Sequence, residues 1–171
     1  MTGAVAGAPD PLTTMAKAER RPEPFEAASS ADCVALEEVL RRVRLPKLRS
    51  WLRAIGVHQE AAELTIEGSQ LPAWRDGTGL VRLVEALEGR QLHGVERRPR
   101  AAAHCRRNVD KALEALRAVK TMPVTHLYSA PKLVRGEAAI TLKILAEAMH
   151  AYGGARGAAS VAAAARSRLS D

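Results

Sequence analysis

Histidine and cysteine are the residues of this chain best suited to bind metal ions or to act as nucleophiles. The five histidines, at positions 58, 93, 104, 126 and 150, never recur at the i, i+3 or i, i+4 spacing that would place two ligands on one helix face. Cys33 and Cys105 lack the Cys-x-x-Cys spacing of a zinc or redox site. We therefore expect no metal site and no disulfide, and the isolated thiols indicate a reducing compartment.

The segment Gly77-Thr78-Gly79 has the composition of a phosphate-binding loop but not its spacing. It lacks the later glycine of a dinucleotide fingerprint and the Gly-Lys-Ser/Thr of a P-loop, and no strand-like run precedes it. No nucleophile elbow surrounds any serine. We therefore expect no catalytic residue, no cofactor and no small-molecule substrate.

Positive charge is the chemistry that the sequence does offer. The formal net charge is +7 and the isoelectric point is near 10.0, which favours acidic surfaces such as filaments, nucleic acid or anionic lipid. The candidate partner-binding residues fall into three sets. The first group, on two helices, comprises Arg41, Arg42, Arg44, Lys47, Arg49 and Arg53, and the second group, before a later helix, comprises Arg97, Arg98, Arg100, Arg106 and Arg107. Two more cations near the end are Lys132 and Arg135. The alternative is that these are ordinary solvated helix faces.

The elements that position these cations are predicted to be helices. The chain has 171 residues, 47% apolar content and only 3% aromatic residues, which suits one domain with an aliphatic core. Alanine, leucine, arginine and glutamate dominate its centre, a mixture that favours helices over strands. The predicted fold class is therefore all-α.

Apolar stripes at i, i+3, i+4 and i+7 predict helices over 36–43, 48–55, 80–87, 104–119 and 137–152. Asp76 and Gly77 are predicted to cap and turn the chain before the third of these helices, and Gly136 before the last. Residues 57–73 show no periodicity and are predicted to form an ordered loop. The predicted core comprises Trp51, Trp74, Leu80, Leu83, Val84, Leu87, Val109, Leu113, Leu116, Ile144 and Leu145.

The domain prediction divides the chain into three parts. Residues 1–30 are rich in proline and lack periodicity, so we expect a disordered leader. Residues 31–152 form the domain, in which 31–44 is an additional N-terminal helix. Residues 153–171 form a flexible tail rich in alanine and arginine. The start has no signal-peptide pattern and nowhere do 18 apolar residues follow one another, which predicts a cytoplasmic protein without a transmembrane segment.

The order of these features resembles the calponin homology domain. The resemblance rests on a tryptophan-bearing helix, Arg75-Asp76-Gly77 followed by Leu80 and Leu83, Asn108-Val109 with Ala112-Leu113, and Leu133-Val134-x-Gly136 before a last apolar helix. It covers residues from about 45 to 152. It implies a compact bundle of four main helices plus short connecting helices, with the Asp-Gly helix and the final helix at its centre.

Two departures from the family bear on function. Arg135-Gly136-Glu137 stands where members often have Asp-Gly-Asn, and Ala146 stands where the last helix commonly has tryptophan. Firm actin binders of the family usually carry two such domains in tandem, whereas this chain has room for one.

The resemblance and the basicity together predict a non-enzymatic, cytoskeleton-associated binding or scaffolding module, including the cytoskeleton of a cilium or flagellum. The microtubule is favoured slightly over the actin filament. The alternatives are actin-filament binding and an adaptor that binds a signalling or structural protein but no filament. Nucleic acid is disfavoured because the sequence offers no aromatic platform for stacking bases.

Overall fold

Seven α-helices and two 3-10 turns make up the described part of the chain. A computed structural model describes residues 30–62, 64–119, 122 and 125–153. The helices are α1 Ser30–Arg42, α2 Leu45–Ala54, α3 His58–Ala62, α4 Thr78–Glu88, α5 Ala102–Arg117, α6 Ala130–Arg135 and α7 Ala138–Ala151, and the 3-10 turns are Pro72–Trp74 and Thr125–Tyr128. No strand occurs among these residues, and the all-α prediction is confirmed. The predicted leader and tail, apart from residues 30 and 153, lie outside the described residues.

Helix boundaries follow from local backbone chemistry. Pro46 lies in the first turn of α2, where a missing N–H leaves no hydrogen bond unmade. Gly89 ends α4 in a left-handed conformation, with φ +64°, and donates its N–H to the Glu85 carbonyl at 2.9 Å. Helix α5 begins and ends two residues earlier than its predicted span.

The segment 57–73, predicted to be a loop, contains α3 and the first two residues of the first 3-10 turn. Helix α3 is only five residues long. That length is too short to produce a repeating apolar stripe, so periodicity could not reveal it. The loop after α3 is tied to the α6–α7 junction: Leu71 N–H donates to the Gly136 carbonyl at 2.8 Å and Ala138 N–H to the Ser69 carbonyl at 2.9 Å.

Two helices supply much of the apolar core. Helix α4 packs mainly against α5, whereas α7 contacts α1, α2 and α6. Both tryptophans are only 1% exposed. The eleven residues predicted to form the core are all buried: Trp51, Trp74, Leu80, Leu83, Val84, Leu87, Val109, Leu113, Leu116, Ile144 and Leu145.

The start of α4 is held by Asp76 and Gly77. The Asp76 Oδ1 atom accepts hydrogen bonds from Thr78 N–H at 2.8 Å and from the Thr78 hydroxyl at 2.7 Å. The N-cap position itself is Gly77, one residue later than the predicted cap, and its φ is +74°. A Cβ atom on Gly77 would lie 2.8 Å from both Asn108 Cβ and Val109 N. Gly77 therefore serves two needs at once, a left-handed turn and the close approach of α5.

Gly79 makes room for two side chains that pack against the start of α4. It lies in the first turn of α4, and a Cβ there would be 3.1 Å from Trp74 Cε3 and 3.2 Å from Glu60 Cγ. Its missing side chain leaves room for the Trp74 ring and the Glu60 stem.

Leu83→Ala should lower the free energy of unfolding by about 3 kcal/mol, because the Leu83 side chain is fully buried and its loss leaves a cavity. Val34→Ala is the matched control: Val34 is 65% exposed on α1, so that change should stay within about 0.5 kcal/mol. Urea unfolding followed by circular dichroism measures both. An equal, small effect of the two changes would contradict the placement of α4 in the core.

Gly77→Ala and Gly94→Ala form a second matched pair, since both glycines have φ +74°. At Gly94 an added Cβ meets nothing within 4 Å, so Gly94→Ala should cost about 1–2 kcal/mol for the left-handed conformation alone. Gly77→Ala should cost at least about 1 kcal/mol more, because its methyl group also collides with α5. The same unfolding titration compares them, and equal losses would show that the Gly77–Asn108 approach is not tight.

Candidate partner-binding surface

Asn108 anchors the backbone of the basic segment 97–107 to two helices. Its side chain is fully buried in the first half of α5. The Oδ1 atom accepts from Glu96 N–H at 2.8 Å, and Nδ2 donates to the Glu96 carbonyl at 2.8 Å and to the Asp76 carbonyl at 3.2 Å. One amide therefore fixes both main-chain polar groups of Glu96 and joins them to the start of α4.

Glu85 fixes the side chain at the beginning of the same segment. Its two carboxylate oxygens accept from Arg97 Nη1 and Nη2 at 2.7 Å each, and Oε1 also accepts from Leu92 N–H at 2.8 Å. Burial raises the pKa of the Glu85 carboxyl, but the hydrogen bonds from Arg97 and Leu92 outweigh it and leave the pKa below its ordinary value. The predicted contact residue Arg97 is therefore a side chain that ties the segment to α4.

The rest of the second group divides into paired and unpaired cations. Arg106 Nε lies 2.9 Å from Asp110 Oδ2, one helical turn away on α5. Arg98, Arg100 and Arg107 are exposed and form no ion pair with any described residue. These three side chains are the ones in this group that can meet a partner without breaking an internal salt bridge.

The first group divides in the same way. Arg42 forms an ion pair with Glu38 at 2.8 Å, and Arg41 a longer one with Glu37 at 3.9 Å. Arg49 is half-buried and donates through Nη2 to the Leu64 carbonyl at 2.7 Å, so it stabilises the loop after α3. The exposed cations of this group without an ion pair to a described residue are Arg44, Lys47 and Arg53.

Lys132 and Arg135, the two cations predicted near the end of the domain, share one acid. Arg135 Nη2 lies 2.6 Å and Lys132 Nζ 3.8 Å from the carboxylate of Glu137. Both side chains are about half exposed. Glu137 therefore neutralises part of the positive charge of Lys132 and Arg135.

Helix α3 adjoins residues of both basic groups. It contacts α2, which carries Lys47 and Arg53, and its Glu60 lines a groove with Arg98 and Arg100. The buried Glu60 carboxylate is neutralised by Arg82 Nη1 at 2.7 Å. The structure thus places part of each basic group near α3, which itself carries an internally paired acid.

The described residues form no metal site and no membrane-spanning helix. No three His, Cys, Asp or Glu side chains in that part of the chain are placed to hold a metal ion. Cys33 is exposed and Cys105 half-buried, and both are free thiols. None of the described helices has the length and apolar character needed to cross a membrane.

Sequence reasoning missed the roles of Glu85, Asn108 and Glu60. The Arg106–Asp110 pair carries a local signal, an i, i+4 spacing on one helix. Glu85 and Arg97 are 12 residues apart on two different elements, as are Asn108 and Glu96, so no periodic pattern relates them. Composition does not single out Glu85 either, because α4 also carries the charged residues Arg82 and Glu88.

No family model, curated protein or solved structure matches the chain.

Glu85→Gln should destabilise the protein by about 1–2 kcal/mol at neutral pH, because Arg97 loses a charged, bidentate partner. A carboxyl whose folded pKa is depressed stabilises the fold above its unfolded pKa of about 4.3, and that contribution disappears as pH falls through the folded pKa. The difference between Glu85→Gln and the unchanged protein should therefore shrink below about pH 4.

Thermal unfolding between neutral and acid pH measures this effect. Glu67→Gln is the control, since Glu67 is exposed and its carboxylate makes no hydrogen bond or ion pair with a described residue. A pH-independent loss in Glu85→Gln, or an equal loss in Glu67→Gln, would contradict the role of the Glu85 carboxylate.

Proposed function

We propose that this chain is a non-enzymatic, calponin-homology-like binding module that docks an exposed basic surface on an acidic cytoskeletal filament in the cytoplasm, with the microtubule favoured slightly over the actin filament. The observation that carries the proposal is the cationic segment 97–107, which leads into the first turns of α5. Asn108 and Glu85 hold that segment in place, while Arg98, Arg100 and Arg107 stay exposed and without an internal ion pair to any described residue.

The arrangement of helices supports the likeness to the calponin homology domain. A tryptophan-bearing α2 comes first, Asp76 and Gly77 precede α4, Asn108 lies in α5, and Gly136 precedes α7. The two glycines lie in close contacts: a side chain on Gly77 would meet α5, and Gly136 lies against the Arg75 side chain. The function that this resemblance implies therefore supports a cytoskeletal partner.

The ion pairs that its exposed cations could form would give one domain alone only weak binding to a filament. The exposed cations without an internal ion pair to a described residue are Arg44, Lys47, Arg53, Arg98, Arg100 and Arg107. At about 0.5–1 kcal/mol for each exposed pair, all six together supply about 3–6 kcal/mol. That range corresponds to dissociation constants from about 6 mM to about 40 μM, with about 0.5 mM at its centre. A filament compensates for this weakness because it presents many copies of the same acidic site.

An adaptor function is the second candidate, and the surface of α1 favours it. Val34 is 65% and Leu40 37% exposed there. Leu40 also borders an open cleft at the α1–α2 junction with Val43, Leu45 and Pro46. An apolar contact of this kind suits a folded protein partner and depends little on the arginines of the 97–107 segment.

Cosedimentation with microtubules and with actin filaments at about 25 mM and about 150 mM salt tests the filament proposal. We expect the protein to pellet with microtubules at low salt and to be released at high salt, since exposed charge pairs are screened. Arg98→Glu/Arg100→Glu should abolish pelleting.

The matched control is Arg90→Glu/Lys111→Glu, which makes the same change in net charge at two exposed cations outside the basic segment. This control should pellet like the unchanged protein. Absence of pelleting with either polymer would overturn the filament proposal and leave the adaptor. An equal loss in both double variants would show that net charge, and not this surface, drives the association.

A further inference from the structure

A polar groove opens where the basic segment faces the start of α4. It has a volume of about 500 Å³ and four walls: Gln59 and Glu60 of α3, Ala73 of the 3-10 turn, the first turns of α4 from Asp76 to Arg82, and the segment 97–100. Side chains from four elements that are distant in sequence therefore converge on one concave site. The exposed basic surface is shaped there, not flat.

Most of the charges around this groove are already paired inside the protein. Arg82 binds Glu60 at 2.7 Å and Gln59 at 3.1 Å. Arg97 binds Glu85, and Asp76 Oδ1 is held by Thr78. The two cations left over are Arg98 and Arg100, which line the groove, are exposed and form no ion pair with any described residue.

The two unpaired guanidinium groups are attached to a backbone that is fixed before any ligand arrives. Glu96 is hydrogen-bonded through both its N–H and its carbonyl to buried Asn108. Arg97 is held by two hydrogen bonds, and Pro99 restricts the backbone between Arg98 and Arg100. Binding therefore orders only the two side chains, and the entropic cost of association is correspondingly small.

The geometry points to this groove as a docking site for a short acidic peptide segment, whose carboxylates pair with Arg98 and Arg100. This inference rests on the proposed function and specifies the feature of the partner that is recognised. Guanidinium groups form bidentate hydrogen bonds with carboxylates, and two of them separated by one residue match side chains of a run of glutamates or aspartates.

The groove fits single carboxylates better than phosphates. Its walls include the Asp76 carboxylate, which repels a densely charged phosphate more strongly than it repels a singly charged carboxylate. The described residues that line it include no aromatic side chain on which a nucleic-acid base could stack. An acidic peptide is therefore favoured over an anionic lipid headgroup or a nucleic acid.

Fluorescence anisotropy with a labelled peptide of ten glutamates, titrated with the full chain at low salt, tests the inference. We expect saturable binding that Arg98→Gln/Arg100→Gln weakens about tenfold, the effect of losing two exposed charge pairs at the upper end of their usual range. Arg90→Gln/Lys111→Gln is the matched control, because it also removes two exposed cations, but outside the groove and outside the six cations of the proposed docking surface. The control should stay within about twofold, and circular dichroism melting shows whether both variants remain folded.

Three outcomes would overturn the inference: no binding of the peptide, equal weakening by both double variants, or tighter Arg98- and Arg100-dependent binding of duplex DNA or of vesicles containing an anionic phospholipid. The filament assay separates this inference from the proposed function. If the protein pellets with a filament but ignores the peptide, the groove inference alone is wrong. If the peptide binds through Arg98 and Arg100 while no filament is bound, the groove inference stands and the filament proposal is wrong.

Discussion

The close approach of α5 to the start of α4 is the constraint on which the rest of the structure depends. Gly77 allows this approach because a side chain there would collide with Asn108 and Val109. The approach in turn lets buried Asn108 reach the Asp76 carbonyl on one side and Glu96 on the other. A buried amide left without these partners would lose several hydrogen bonds in a dry environment, so the contact and the network require each other. The core beneath α4 and the position of the basic segment follow from this one junction.

Because of that junction, arginines that are neighbours in sequence have different physical roles. Arg97 forms a bidentate ion pair with Glu85 and holds the segment against α4, whereas Arg98 and Arg100 extend from the same backbone toward solvent. Arg49 likewise supports the loop after α3 through the Leu64 carbonyl while nearby Arg53 stays exposed. A count of positive residues therefore overstates the charge that is available to a partner, and the difference decides which variants report on binding and which report on stability.

The proposed docking surface implies weak binding that depends on repeated sites or on preorganisation. Exposed ion pairs contribute little individually because water and salt screen them. Holding Arg98 and Arg100 on a fixed backbone beside a groove reduces what must be ordered on binding. A filament with many equivalent acidic sites and a short acidic segment on one partner are two ways in which a modest surface of this kind acquires useful affinity.

The main helices and the core could be predicted from the sequence alone, because a repeat of 3.6 residues is a local property. The buried stripes of α4 and α7, the left-handed glycines at 77, 89 and 136, and the burial of both tryptophans could all be derived from local patterns. The five-residue α3 could not, since it contains too few residues for a period. Which charges are paired depends on tertiary packing and could not be predicted from the sequence. Glu85 meets Arg97, and Arg82 meets Glu60 across 22 residues, through packing that no spacing in the chain encodes. For the same reason, only the folded chain could place Arg98 and Arg100 together at the edge of a groove.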